Sequence, residues 1–220
     1  VALGDVVAEV EKLISEYHTP DGVDLEVGGT VEDQGDAFGD LGVLFILIVI
    51  LVYIVMATQF ESLKFPFIIM FTIPFAFTGV FLALWMTSTP LSLIALIGAI
   101  MLVGIVTKNG IVMVDYMNLL VERGSGVFDA VIAGGKSRLR PVLMTSFTTI
   151  LGMLPLAIGT GAGSETWQPM GIAVIGGLTC STLLTLFIIP ALYSVFVNRS
   201  QRKEKEKLAR LSAEHQASVH

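Results

Sequence analysis

The sequence has a single cysteine, Cys180, so neither a disulfide framework nor a cysteine metal site can form within the chain. Cys180 lies in an apolar run, where a lone cysteine serves as a small apolar residue. Histidine is nearly as scarce. His18, His215 and His220 all fall outside the long apolar segments, which excludes a histidine cluster there. Charge is also short: 15% of the 220 residues are charged, against roughly a quarter in a soluble domain. There is no glycine-rich phosphate loop and no Ser-His-Asp set, so nothing points to an ATPase, a protease or a metal enzyme. The net charge of −6 argues against a general nucleic-acid binder. A secretory leader pattern is missing as well. The first residue is Val1, in what reads as a helix already under way, and the expectation is a chain cut from something longer.

What the sequence has in excess is apolar residues, 54% of the total. Its few charges are unevenly placed. Eleven of the 19 acidic residues lie in the first 40 positions, where Lys12 is the only Lys or Arg, and the rest of the chain is net positive. Within that acidic segment, Val6, Val10, Leu13, Ile14 and Tyr17 fall at helical spacing over residues 6–17. A turn at Pro20, Asp21 and Gly22 follows, and Val23, Leu25 and Val27 then alternate with Asp24 and Glu26 as in a half-buried strand. One helix and one strand cannot bury a core, so residues 1–40 read as the truncated end of an α+β domain.

From Leu41 the chain changes character. A membrane helix needs about 20 mostly apolar residues, and five segments qualify: 41–58, 65–86, 91–120, 141–160 and 169–198. The expected fold is therefore mainly α: a polytopic bundle of five transmembrane helices over 41–198, followed by a charged tail over 199–220. Lys64, then Arg123, Lys136, Arg138 and Arg140, then the basic residues of the tail mark alternate ends of the spans. The positive-inside rule places those ends and the tail in the cytoplasm and residues 1–40 outside the cell membrane.

Lys108 is the chemical outlier, because the third span carries no charge from Leu91 to Thr107. A lysine at the centre of a membrane helix costs about 2.5–3.5 kcal/mol on insertion scales. It persists where it faces a bundle interior and a partner; the alternative is that it snorkels to the interface. Asn109 is adjacent, and Gly104 one turn earlier suits a packed face. Asp115 is seven residues on, about 10.5 Å along the axis, too far for a direct ion pair. Thr145, seven residues after Arg138, reads in isolation as a hydroxyl bonded back to its own helix, and Arg138 as a positive-inside anchor. Gly98, Gly104, Gly152, Gly171, Gly176 and Gly177 permit close helix approach, and Pro74, Pro155 and Pro190 predict kinks.

Four stretches in order carry a resemblance: ATQFESLKFPFIIMFTIPFAFTGV (57–80), LIGAIMLVGIVTKNGIVMVDY (96–116), GKSRLRPVLMTSFTTILGMLPLAIGTGAG (135–163) and QPMGIAVIGG (168–177). Together they resemble the C-terminal half of resistance-nodulation-division efflux transporters, in particular the hydrophobe/amphiphile branch, over nearly the whole chain to about Arg199. The resemblance implies a proton-driven antiporter of the inner membrane, with no cofactor beyond the proton gradient and no enzymatic activity. Lys108 in TKNGI matches the relay lysine that pairs with two aspartates of the N-terminal half. Thr145 in RPVLMTS matches the relay threonine, and Arg138 the arginine at the start of that helix. Asn109 and Asp115 match commonly polar positions. Residues 1–40 match the last helix and strand of the extracytoplasmic porter region.

The implied partners are the rest of the transporter, two further copies in a trimer, a periplasmic adaptor and an outer-membrane channel. The implied cargo is a drug or other amphiphile; nearly all of the porter region that is implied to hold it lies outside this chain, and no substrate-binding residue is assigned here. Heavy-metal export by the related metal branch is the alternative. That branch is expected to show methionine or carboxylate sites along a path, and only Met113 and Met117 stand at paired helical spacing here. A non-transporting accessory module of the protein-translocation type is the third reading.

Overall fold

The computed structural model describes residues 30–161 and 163–218, together with six positions between Glu9 and Glu16. Those six, inside the amphipathic segment 6–17, are helical. The rest of that segment and the expected strand at 23–27 lie outside the described residues. Among the described residues there is no strand, and the fold is helical throughout.

The helices are α1 (Thr30–Phe60), α2 (Lys64–Met70), α3 (Ile73–Met86), α4 (Leu93–Glu122), α5 (Val127–Ile158) and α6 (Ser164–Ser218). Five stretches are long and apolar enough to cross a membrane: Gly35–Phe60, Lys64–Met86, Leu93–Glu122, Val127–Ile158 and Ser164–Asn198. The count agrees with the sequence; some of the ends do not. Helix α1 runs unbroken through Asp40, because its carboxylates Asp36 and Asp40 are exposed and an exposed polar face does not interrupt a helix. Helix α5 begins at Val127, so the basic residues Lys136, Arg138 and Arg140, expected in a connection over 121–140, stand on a helix instead. The true turn is four residues long, with Gly124 in the left-handed region at φ 89°. Up to Arg140, α5 is amphipathic rather than apolar, burying only Val127, Ala130 and Gly134, which a search for apolar runs passes over.

The second span is broken. Pro74 offers no backbone N–H, and the chain turns through Phe71 and Thr72 between α2 and α3. Thr72 spans the break, its N–H and hydroxyl both donating to the Ile69 carbonyl, at 3.0 and 2.7 Å. Pro155 and Pro190 lie inside helices that continue past them.

Helix α6 is the hub, packing against α2, α3, α4 and α5. Helices α3, α4 and α6 bury roughly half of their apolar spans, and α1 and α5 very little. Two apolar clusters are stacked along α4 and α6. One contains Ala99, Leu102, Val106, Ala173 and Leu178; the other contains Met113, Met117, Ile189 and Tyr193. Between them lies a belt of buried polar side chains: Thr107 and Asn109 on α4, Ser146 on α5, and Ser181, Thr182 and Thr185 on α6.

Candidate functional site

Lys108 lies at the level of that belt but points out of the bundle. Residues Ile97, Met101, Gly104, Lys108, Asp115 and Leu119 of α4 are all exposed. Steps of four, three and seven residues put them on one narrow helix face. The face is apolar towards its N-terminal end and carries its charges at Lys108 and Asp115. Within the described residues Lys108 makes no hydrogen bond or ion pair, and none joins it to Asp115. Gly104, expected to mark a packed face, has nothing within 4 Å of where a Cβ would stand, and neither does Gly152. The close helix contacts are made elsewhere, by Gly98, Gly171, Gly176 and Gly177 and by Gly79, Gly110 and Gly134.

The residue after Lys108 points the other way. Asn109 is buried, and its Nδ2 donates to Ser146 Oγ on α5 at 3.4 Å, a long bond. Ser146 Oγ is 2.9 Å from Thr182 Oγ1 on α6. One chain of polar side chains thus ties α4, α5 and α6 together. Ser146 and Thr182 gave no signal in the sequence, since a serine or threonine in an apolar helix ordinarily bonds to its own backbone. Thr107, Thr148 and Thr179 do so here.

Thr145 also bonds to its own helix, Oγ1 to the Val142 carbonyl at 3.0 Å, and is exposed. The structure therefore leaves Lys108 and Thr145 uncovered, one on each of two packed helices. Arg138 is held differently. Its guanidinium carbon stands 4.5 Å from the centroid of the Tyr116 ring on α4, and its Nε is buried without a partner among the described residues. A cation over an aromatic face gains about 0.5–2 kcal/mol, more as water is excluded. A double-mutant cycle of Tyr116→Leu with Arg138→Met, read by thermal unfolding in detergent, is expected to give a coupling of that size, about 0.5–2 kcal/mol. Tyr116→Phe is expected to preserve it. Strict additivity of the two changes would mean that the stacking carries no energy.

Asp115 lines a polar cleft of about 270 Å³ with Gln59, Glu61, Asn118 and Glu122, where α1 meets the end of α4. Asn118 is itself fixed by Tyr193, whose hydroxyl donates to Asn118 Oδ1 at 2.6 Å. The described residues contain no cluster of three or more His, Cys, Asp or Glu able to hold a metal ion.

The family described as AcrB/AcrD/AcrF matches residues 1–197. The chain belongs to this family. Its members are resistance-nodulation-division efflux transporters. Among curated relatives, the chain is 38% identical over 199 residues to the swarming motility protein SwrC of Bacillus subtilis, covering 90% of this chain and 19% of that protein. It is 38% identical over 205 residues to the cobalt-zinc-cadmium resistance protein CzcA of Cupriavidus metallidurans, covering 93% and 19%. With the multidrug resistance protein MdtC of Proteus mirabilis it shares 36% identity over 206 residues, covering 93% and 20%. A crystal structure of a heavy metal efflux pump superposes with a TM-score of 0.76 at 30% identity, over 89% of this chain and 19% of the pump. The chain thus spans about a fifth of the length of the relatives it matches.

Proposed function

We propose that this chain is the part of a proton-driven efflux transporter that supplies the basic half of an intramembrane proton relay. One observation carries the proposal: Lys108 stands unpaired among the described residues, on an uncovered face of a membrane helix, where an isolated charge is costly. In this reading a carboxylate pair on the N-terminal half covers the face and holds Lys108 charged. Protonation of a carboxylate releases Lys108, and the helices shift. Thr145, exposed on the adjoining helix, and Arg138, with its free Nε, complete the relay. Asn109 and Asp115 support it. Residues 1–40 belong to the α+β porter region outside the inner membrane, and the tail is cytoplasmic. The complete protein is a homotrimer working with a periplasmic adaptor and an outer-membrane channel, and it needs no cofactor beyond the gradient.

The favoured cargo is a drug or other amphiphile. Met113 and Met117, the one methionine pair at helical spacing, are fully buried among Ile69, Ile189 and Tyr193, which is core packing and not a thioether path. Metal export is the second reading, favoured by the likeness to CzcA and to the heavy metal efflux pump. Inverted membrane vesicles containing the complete protein decide between them. The expected result is uptake of an amphiphilic dye that stops when a protonophore collapses the gradient. Proton-coupled uptake of zinc or cadmium without the dye would assign the metal reading. Dye uptake that survives the protonophore would overturn the proton-driven mechanism.

A further inference from the structure

We infer that the Asn109–Ser146–Thr182 chain is the positioning device of the relay: it fixes the rotational register of α4 against α5 and α6, and so sets where Lys108 and Thr145 stand. The inference rests on the relay reading above.

Three observations support it. The first is sequence adjacency with opposite exposure. Lys108 and Thr145 are exposed, and the residue following each, Asn109 and Ser146, is buried. Consecutive helical residues lie about 100° apart around the axis, so each exposed residue is placed by the neighbour that points inward. Those two inward neighbours bond to each other. The second is that the bond does not end there: Ser146 passes it on to Thr182 of the hub helix. The third is position. The chain lies in the polar belt between two apolar clusters, where a directional hydrogen bond adds to the register set by close glycine contacts such as that of Gly110 with Ile69 and Ile189.

The charged groups on the packed elements are few. Helix α4 carries Lys108, Asp115 and Glu122; α5 carries Arg140 and Arg138 nearest this level, with Lys136 and Asp129 further off; α2 carries Lys64 at its start; α6 has no charged residue between Glu165 and Arg199, and α3 has none. No charge on the hub helix competes with the hydroxyls for Asn109.

The test uses the complete protein in vesicles, with proton-coupled transport per folded molecule measured over a pH range on the order of three units wide around neutral. Ser146→Ala and Thr182→Val are each expected to lower turnover by about tenfold, the upper value of one membrane hydrogen bond. They are also expected to displace the pH of half-maximal transport, because Lys108 no longer faces its counter-charges in the same geometry. The conservative variants Ser146→Thr and Thr182→Ser are expected to restore both quantities. If Ser146→Ala and Thr182→Val lower only abundance or thermal stability, with turnover per folded molecule and pH profile unchanged, the chain is packing and the inference falls. Lys108→Ala, run alongside, separates the two claims. Full transport in Lys108→Ala removes the relay reading itself. Loss of transport there, with a normal Ser146→Ala profile, removes only the positioning role.

Discussion

Replacing Lys108 by methionine in the complete protein is expected to abolish proton-dependent efflux while leaving the protein at least as abundant as before. The two halves of that expectation come from opposite consequences of one charge. As an isolated group in a membrane helix, Lys108 disfavours insertion by about 2.5–3.5 kcal/mol, and methionine, of similar length and without charge, removes that cost. In the proposed relay, Lys108 is one member of an ion pair with carboxylates of the N-terminal half and offsets their desolvation. Without Lys108, protonation of those carboxylates, which can take up protons and stay neutral, no longer shifts the helices, and proton-dependent efflux is expected to fall on the order of 100-fold. Replacing a residue that serves only packing would lower abundance and stability together with activity. Lys108→Arg keeps the charge but changes its shape and spread, and is expected to transport better than Lys108→Met and worse than the parent. Efflux rates in vesicles, normalised to protein amount, check the series. Normal efflux by Lys108→Met would sink the relay assignment.

The second large effect lies where α3 meets α6. A Cβ on Gly176 would collide with the Ala83 Cβ and stand 2.8 Å from the Gly79 carbonyl. One on Gly177 would collide with Leu102 Cδ2 and approach Val80 Cγ2 at 2.8 Å. A backbone carbonyl cannot rotate out of the way as a side chain can, so the helices must separate. Gly176→Val is therefore expected to destabilise the bundle by about 3 kcal/mol, the upper part of the overpacking range, and to lower its melting temperature in detergent sharply. Gly104→Ala, with open space at its Cβ within this chain, is expected to leave that temperature unchanged. Equal melting of Gly176→Val and the parent would mean that the helices do not approach at these glycines.

The spans were legible in the sequence because five apolar runs of membrane length, joined by short connections, exceed what a soluble core of this size can bury. Helix ends were less so. Hydropathy marks where lipid can be, whereas a helix ends where its backbone loses its partners, and Thr30 and Val127 begin helices in polar sequence. Of the three prolines expected to bend helices, Pro74 alone interrupts one, since Thr72 is placed to take up the carbonyl at the break. Lys108 announced itself by contrast with its apolar surroundings. Ser146 and Thr182 could not, because nothing local distinguishes them from Thr148 or Thr179, which bond to their own backbones. Their role exists only once three helices are in register. The same holds for Gly79 and Gly134, whose importance depends on Cys180 and Met117 lying opposite.

The central place of α6 has a consequence for biogenesis. It is the last of the five apolar spans to be synthesised, yet α3, α4 and α5 all pack on it. Until it is present, the small-residue faces of those helices lack their partner, and Ser146 lacks the hydroxyl of Thr182. The packed arrangement of α3, α4 and α5 is therefore complete only once the fifth of these spans is in place.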